Sequence, residues 1–149
     1  YAPTVNSYKR FVTGSWASTT VSWGKNNRTT ALRVITGGEE AARLEIRVPG
    51  ADANPYLAMA AALASGLYGI KNKLTLTIPE TKGNEYQNPG AFLPSDLKEA
   101  TNRMKCSDLA RELLGGAFVD HFVYTREWEW NQFSQRVTDW EKKRYFEII

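Results

Sequence analysis

Leu44-Glu45-Ile46-Arg47-Val48 alternates strictly, so Leu44, Ile46 and Val48 face one way and Glu45 and Arg47 the other. With Arg43 in step, that strand presents Arg, Glu, Arg at same-side positions roughly 6–7 Å apart. Two β-prone runs precede it. Thr19 to Trp23 ends in the turn-forming Gly24-Lys25-Asn26-Asn27, and Ala31 to Ile35, with Arg33 inside it, ends at Gly37-Gly38. Beyond Val48-Pro49-Gly50 the pattern changes. Asn54 can cap a helix whose first residue is Pro55. From Tyr56 to Asn72 the chain is apolar on nearly every side, which predicts a buried helix with Lys71 and Lys73 at its negative end. Residues 74–94, with Pro79, Gly83, Pro89, Gly90 and Pro94, predict an excursion without helix. Ser95 to Glu99 carries a capping box into a short helix, Ser107 caps another, and Gly115-Gly116 breaks the chain. A long helix is then expected, with Val119, Val123, Trp130, Phe133, Val137 and Trp140 on one stripe. The fold class is α+β: a few antiparallel strands over about residues 18–48, then a mostly helical C-terminal half.

The 149 residues are 42% hydrophobic and 23% charged, with 18 aromatic side chains, which argues against disorder and low-complexity linker. Cys106 is the single cysteine, so no internal disulfide or cysteine zinc cluster is available, and a reducing, cytoplasmic setting is expected. The charge-free run from Ala53 to Ile70 falls short of the ~20 strongly apolar residues of a membrane span, and no membrane partner is expected. No signal segment is visible, and the chain opens Tyr1-Ala2-Pro3 with the core pattern already running. It reads as a piece of a longer protein.

Charge changes the picture once it is split along the chain. Residues 1–50 hold seven basic groups against three acids, while the other 99 hold 12 against 13. Five of the seven are arginines: Arg10, Arg28, Arg33, Arg43 and Arg47. A sequence pI near 9.0 raises the question of nucleic acid. The Lys-rich runs of a basic arm are missing, however, and no nucleic-acid partner is expected. Separated Arg forks suit carboxylates or phosphates held in fixed geometry. The Arg-Glu-Arg strand face therefore reads either as an exposed ladder of ion pairs or as a metal carboxylate between two anion-binding forks. Phosphate-loop, dinucleotide and zinc-protease signatures are absent. The lone His121 falls within the predicted long helix and reads as structural.

Four segments in series carry a resemblance: Asn6-Ser7-Tyr8-Lys9-Arg10, Asn27-Arg28-Thr29-Thr30-Ala31-Leu32-Arg33, Arg43-Leu44-Glu45-Ile46-Arg47 and Ala53-Asn54-Pro55-Tyr56-Leu57. In this order and spacing the chain resembles the C-terminal part of a glutamine synthetase superfamily catalytic domain. The likeness covers nearly all of residues 1–149 as one segment, with the parent's N-terminal portion lying outside it. The resemblance implies an ATP-dependent carbon–nitrogen ligase that makes γ-glutamyl phosphate and condenses it with ammonia or an amine. It implies that Arg10, Arg28 and Arg47 bind glutamate and the transferring phosphoryl group, with Arg28 and Arg47 catalytic. It also places Arg28, Arg33 and Arg43 at the ATP phosphates and Glu45 on a divalent metal, Mg²⁺ or Mn²⁺. A ring-shaped homo-oligomer with sites between subunits follows from it too, whereas the segment alone is expected to be inactive.

The chain departs from this pattern at one position that bears on chemistry. Ammonia-using members carry a Glu shortly after the Lys-Arg segment, and here Trp16 stands in Thr13-Gly14-Ser15-Trp16-Ala17-Ser18. Indole cannot take a proton from ammonium, but it offers a face to an organic cation or an alkyl group, for ~0.5–2 kcal/mol. Similar aromatic replacements occur in members that join glutamate to amines or polyamines, which makes Trp16 the candidate selector of the nitrogen donor. The competing expectation is a non-catalytic scaffold that kept the fold. Retention of the matched arginines and Glu45 argues against it.

Overall fold

Short-range signals start the first four helices where the sequence predicts. In the computed structural model, which describes residues 1–87 and 89–148, the Asn54 side chain accepts from the Tyr56 and Leu57 amides at 3.0 and 3.2 Å, opening α1 (Pro55–Lys71). Asp96 accepts from the Glu99 amide at 2.8 Å, and Glu99 reaches back to the Ser95 amide at 2.8 Å, opening α2 (Leu97–Lys105). Ser107 accepts from Ala110 at 3.1 Å ahead of α3 (Asp108–Leu114). Gly115, at φ +85°, then turns the chain into α4 (Gly116–Ser134). No atom lies within 4 Å of a Cβ placed there, so the left-handed backbone is what calls for glycine.

The predicted stripe does not run through a single helix. α4 stops at Ser134, Val137 lies in the connection, and Trp140 belongs to α5 (Asp139–Tyr145), where it is 64% exposed. The break is local: the Glu141 carboxylate accepts the Thr138 amide, so a new helix start interrupts an apolar spacing that would otherwise continue. His121 sits exposed on α4.

Three short strands form one sheet in the order β1 (Trp23–Lys25), β2 (Leu32–Ile35), β3 (Arg43–Ile46). β2 and β3 are antiparallel, as expected, whereas β1 and β2 are parallel. A six-residue connection ordinarily makes a hairpin. Here Asn27 accepts from the Thr29 amide and hydroxyl, and Thr30 donates to the Asn27 and Leu32 carbonyls. These side chains serve the backbone that a hairpin turn would serve, and the chain doubles back before rejoining β1 in parallel register. Residues 19–21, expected to be strand, instead pair with the excursion: Thr20 bridges Phe92 antiparallel, Val21 donates to Ala91 and Leu93 donates to Thr19. The excursion itself forms neither helix nor strand over its described residues.

Burial is concentrated in two places. Leu97 and Thr101 of α2 pack against Val119 and Val123 of α4. The second is a cluster of small buried residues, Ala17, Ser18, Thr20, Ser22, Thr30 and Ala31, with the buried Glu85 bonded to Thr20. The helix expected to be buried is not covered within this chain: α1 contains no buried residue, and Tyr56, Met59, Leu63, Leu67 and Ile70 are all exposed. Its side chains are apolar all round, but only α3 packs substantially against it. The apolar side of β3 is likewise open, with Leu44 exposed. Near the N-terminus, Asp52 accepts from the Ser7 and Thr4 hydroxyls and ties the Ser7–Arg10 3₁₀ turn to the start of α1.

Candidate functional site

Register brings the charged side chains together. Arg33 lies opposite Glu45 across β2 and β3, and its Nη1 donates to the carboxylate at 3.0 Å. Arg43, two residues back on the same face, donates to the other carboxylate oxygen, with its Nη2 at 3.2 Å. The hydrogen bond from Arg33 is the main cause that holds the Glu45 carboxyl below its usual range, and the charges of both arginines reinforce it. The strand face thus forms the ion pairs of the bland reading and at the same time lines a cavity.

Arg28, Arg33, Glu45, Arg47 and Trp16 line that cavity, whose volume of about 510 Å³ is in the range of small-molecule sites. Three positive groups face one carboxylate, so the cavity carries excess positive charge. On two of the lining side chains, Nε of Arg33 and Nε of Arg47 are buried without a hydrogen-bond partner among the described residues. Buried donors are rarely left unpaired, and these fit an anionic ligand with several acceptor oxygens. A metal is served less completely. Among the described residues no three His, Cys, Asp or Glu side chains come together, and Glu45 alone would give one oxygen.

The remaining predicted residues are distributed around this centre. Arg43 is exposed, engages Glu45 and the Ala41 carbonyl, and lies outside the cavity lining. Arg10 donates to the Val48 carbonyl and sits over the Phe11 ring at 5.0 Å, also outside the lining. Arg28 is exposed at the boundary between this cavity and a neighbouring basin formed by Lys25, Asn26, Asn27, Thr29 and residues 80–83, which Trp16 also borders. The larger apolar groove between α1, α3 and α4, about 600 Å³, holds none of the predicted site residues.

Trp16 stands at the rim, 64% exposed, with φ at +61°. That left-handed conformation is uncommon for a bulky aromatic and must be held by its surroundings. Arg47 donates to the Trp16 carbonyl at 3.0 Å, and the Tyr86 hydroxyl donates to the Ala17 carbonyl at 2.8 Å.

Glu85 and Tyr86 were not among the predicted site residues. Glu85 is 3% exposed and accepts from the Thr20 and Thr81 hydroxyls at 2.7 and 2.6 Å and from the Gly90 amide at 3.2 Å. Burial acts to raise its pKa, but the three hydrogen bonds outweigh it and leave the carboxyl below its ordinary value. Its own amide donates to Thr29, next to Arg28. No periodicity marks these residues. Only the placement of a Glu-Tyr pair inside a Pro- and Gly-rich stretch could have singled them out.

Comparison with known proteins shows the family. The family described as glutamine synthetase, catalytic domain, matches residues 1–145. The chain is 52% identical to type-1 glutamine synthetase 2 of Dictyostelium discoideum, over 100% of the chain and 29% of that relative. It is 45% identical to a glutamate–isopropylamine ligase of Pseudomonas sp, over 100% of the chain and 33% of the relative. With a γ-glutamylethanolamide synthetase of Streptomyces coelicolor it shares 46% identity over 99% of the chain and 31% of the relative. Among solved structures, a GmaS/ADP complex superposes with a TM-score of 0.82 at 33% identity, covering 97% of this chain and 35% of that one. The chain therefore spans about a third of the length of the curated relatives it matches.

Proposed function

Since the chain belongs to the glutamine synthetase catalytic-domain family, we propose that its parent is an ATP-dependent ligase that joins glutamate to an amine in preference to ammonia. The observation that carries the ligase reading is the cavity that Arg28, Arg33 and Arg47 line together with Glu45, with two buried guanidinium nitrogens unpartnered among the described residues. Forks of this kind suit a γ-phosphate passing to a carboxylate, because developing negative charge meets donors already in place. Arg28 and Arg47 grip the transferring phosphoryl group and, with Arg10, the glutamate. One Arg10 donor is taken by Val48, and a guanidinium has four more. Arg33, Arg28 and Arg43 steady the ATP phosphates.

Glu45 is the residue of this chain that would hold a Mg²⁺ or Mn²⁺ ion, whose other ligands would come from the rest of the parent and from the nucleotide. When bound, that ion neutralises charge on the phosphates. For Glu45 to serve it, the pairs with Arg33 and Arg43 must loosen, which frees both forks for phosphate.

Trp16 carries the choice of nitrogen donor. At the cavity rim it offers an apolar face and no proton acceptor. Two relatives above 40% identity are named for alkylamine or ethanolamine substrates, which supports the same choice. No described helix is long and apolar enough to cross a membrane. We place the parent in the cytoplasm, where ATP is available, as a ring-shaped homo-oligomer whose neighbouring subunits complete the site; the uncovered α1 supports such an assembly.

The test is phosphate release by the full-length parent with ATP, Mg²⁺ and glutamate, comparing ammonium, methylamine, isopropylamine, ethanolamine and putrescine. A higher kcat/KM for at least one amine than for ammonium is expected. Equal or better use of ammonium than of every amine would sink the amine reading. Absence of any donor-dependent turnover would sink the ligase reading.

A further inference from the structure

Trp16 cannot hold its own conformation. Its φ of +61° is one that L side chains seldom adopt, and its indole is largely exposed, so packing does not fix it. The main chain around it is held instead by hydrogen bonds: within the turn the Ser15 hydroxyl donates to the Arg10 carbonyl and accepts the Ala17 amide, and two more bonds come from outside it. Arg47 fastens the Trp16 carbonyl from the site side. From the other side, the Tyr86 hydroxyl fastens the carbonyl of Ala17, a residue only 3% exposed.

Tyr86 is in turn anchored by its neighbour. Glu85 is buried against Thr20 and Thr81, and its amide is tied to Thr29, so the loop bearing Tyr86 is clamped between the Trp16 segment and the turn that carries Arg28. We infer that Tyr86 is a positioning residue: through Ala17 it keeps the Trp16 turn left-handed and the indole over the arginine cavity, and so sets the affinity for the nitrogen donor. The last clause rests on the amine reading proposed above, whereas the fastening of the turn does not. Tyr86 does not line the cavity. Its effect should therefore fall mainly on the nitrogen donor, because among the described residues no hydrogen bond runs from Tyr86 itself to Arg28, Arg33, Glu45 or Arg47.

The variant is Tyr86→Phe in the full-length parent, which keeps the ring and removes only the donor. Amide hydrogen exchange in a peptide spanning residues 12–18 should quicken about five-fold or more, with the peptide over residues 43–48 unchanged. The amine KM should rise about five- to twenty-fold while the KM values for glutamate and ATP stay within two-fold. Rescue is available by restoring a donor, since Tyr86→Trp presents an indole N–H and should recover part of the protection at 12–18. Unchanged exchange at 12–18 in Tyr86→Phe overturns the inference. Exchange that quickens across the whole protein, with all three KM values rising together, overturns it as well, because Tyr86 would then be supporting the fold alone. If exchange quickens locally but the wild type shows no amine-dependent turnover, the fastening role stands and the amine reading falls.

Discussion

Arg33 and Glu45 face each other across the antiparallel β2–β3 pair and join at 3.0 Å, so the one carboxylate in the cavity is already bound to a cation. A carboxylate so held stays ionised well into acid, and any ligand that claims it must also satisfy the arginine it releases. Glu45 is therefore the side chain on which metal binding and phosphate binding would meet.

Glu45→Gln should reduce turnover of the full-length parent by at least ~100-fold, because the near-isosteric amide lacks the charge that a divalent ion and the arginines require. Circular dichroism should be unchanged. Near-normal phosphate release at saturating Mg²⁺ would contradict the assignment.

The 149-residue chain by itself should release no phosphate from ATP in the presence of glutamate and amine. No three metal-ligating side chains come together among the described residues, and phosphoryl transfer draws on more than one ligand. Steady turnover by the purified chain would refute this.

Trp16→Glu should raise kcat/KM for ammonium relative to the alkylamines by ~10-fold or more, since a positioned proton acceptor typically contributes 10²–10⁴-fold. A donor ranking the same as in the wild type would show that Trp16 is not the selector.

Glu85→Gln should lower stability by about 1–3 kcal/mol, because an amide in place of the carboxylate cannot accept from Thr20, Thr81 and Gly90 together. The sign with pH follows from its lowered folded-state value: the stabilisation is present above the ordinary glutamate range and is lost as pH falls. Urea midpoints of wild type and variant should converge as pH falls below the ordinary glutamate range. A constant gap between them would count against the buried ionised carboxylate.

Burial pushes the Tyr8 phenol up to about 12, with the charges of Asp96, Glu99 and Asp52 adding to the effect. A raised folded-state value means the stabilisation is complete below about pH 10 and is lost as pH climbs towards 12. Tyr8→Phe should flatten that alkaline limb of the stability profile. An identical limb in the variant would show that other groups produce it.

What could be read in advance was what depends on neighbours in sequence. Asn54-Pro55, Asp96 with Glu99, and Ser107 each complete a helix start within four residues, and all three were placed correctly. The Arg43-Glu45-Arg47 face was equally legible, because a period of two needs only the strand itself. Pairing was harder. That Arg33 would meet Glu45 depends on register, and the parallel setting of β1 depends on the Asn27 and Thr30 side chains replacing a hairpin turn. The break before α5 had a visible signal in Thr138-x-x-Glu141, but the continuing apolar spacing through Val137 and Trp140 masked it. Glu85 and Tyr86 carried only the weak signal of a Glu-Tyr pair in a Pro- and Gly-rich stretch, since the partners that give them a role, Thr29 and Ala17, lie 56 and 69 residues away.

The bareness of α1 bears on how the chain responds to heat. Tyr56, Met59, Leu63, Leu67 and Ile70 are each more than half exposed while the helix is folded, so their hydration changes less than that of a core side chain when the chain by itself unfolds. The heat capacity of unfolding comes mainly from newly exposed apolar surface, ordinarily about 12–15 cal/mol/K per residue. For the isolated chain it should fall below that range, giving a shallow dependence of stability on temperature. Covering α1 restores the missing increment, so the apolar surface that seats on this helix is measurable as heat capacity.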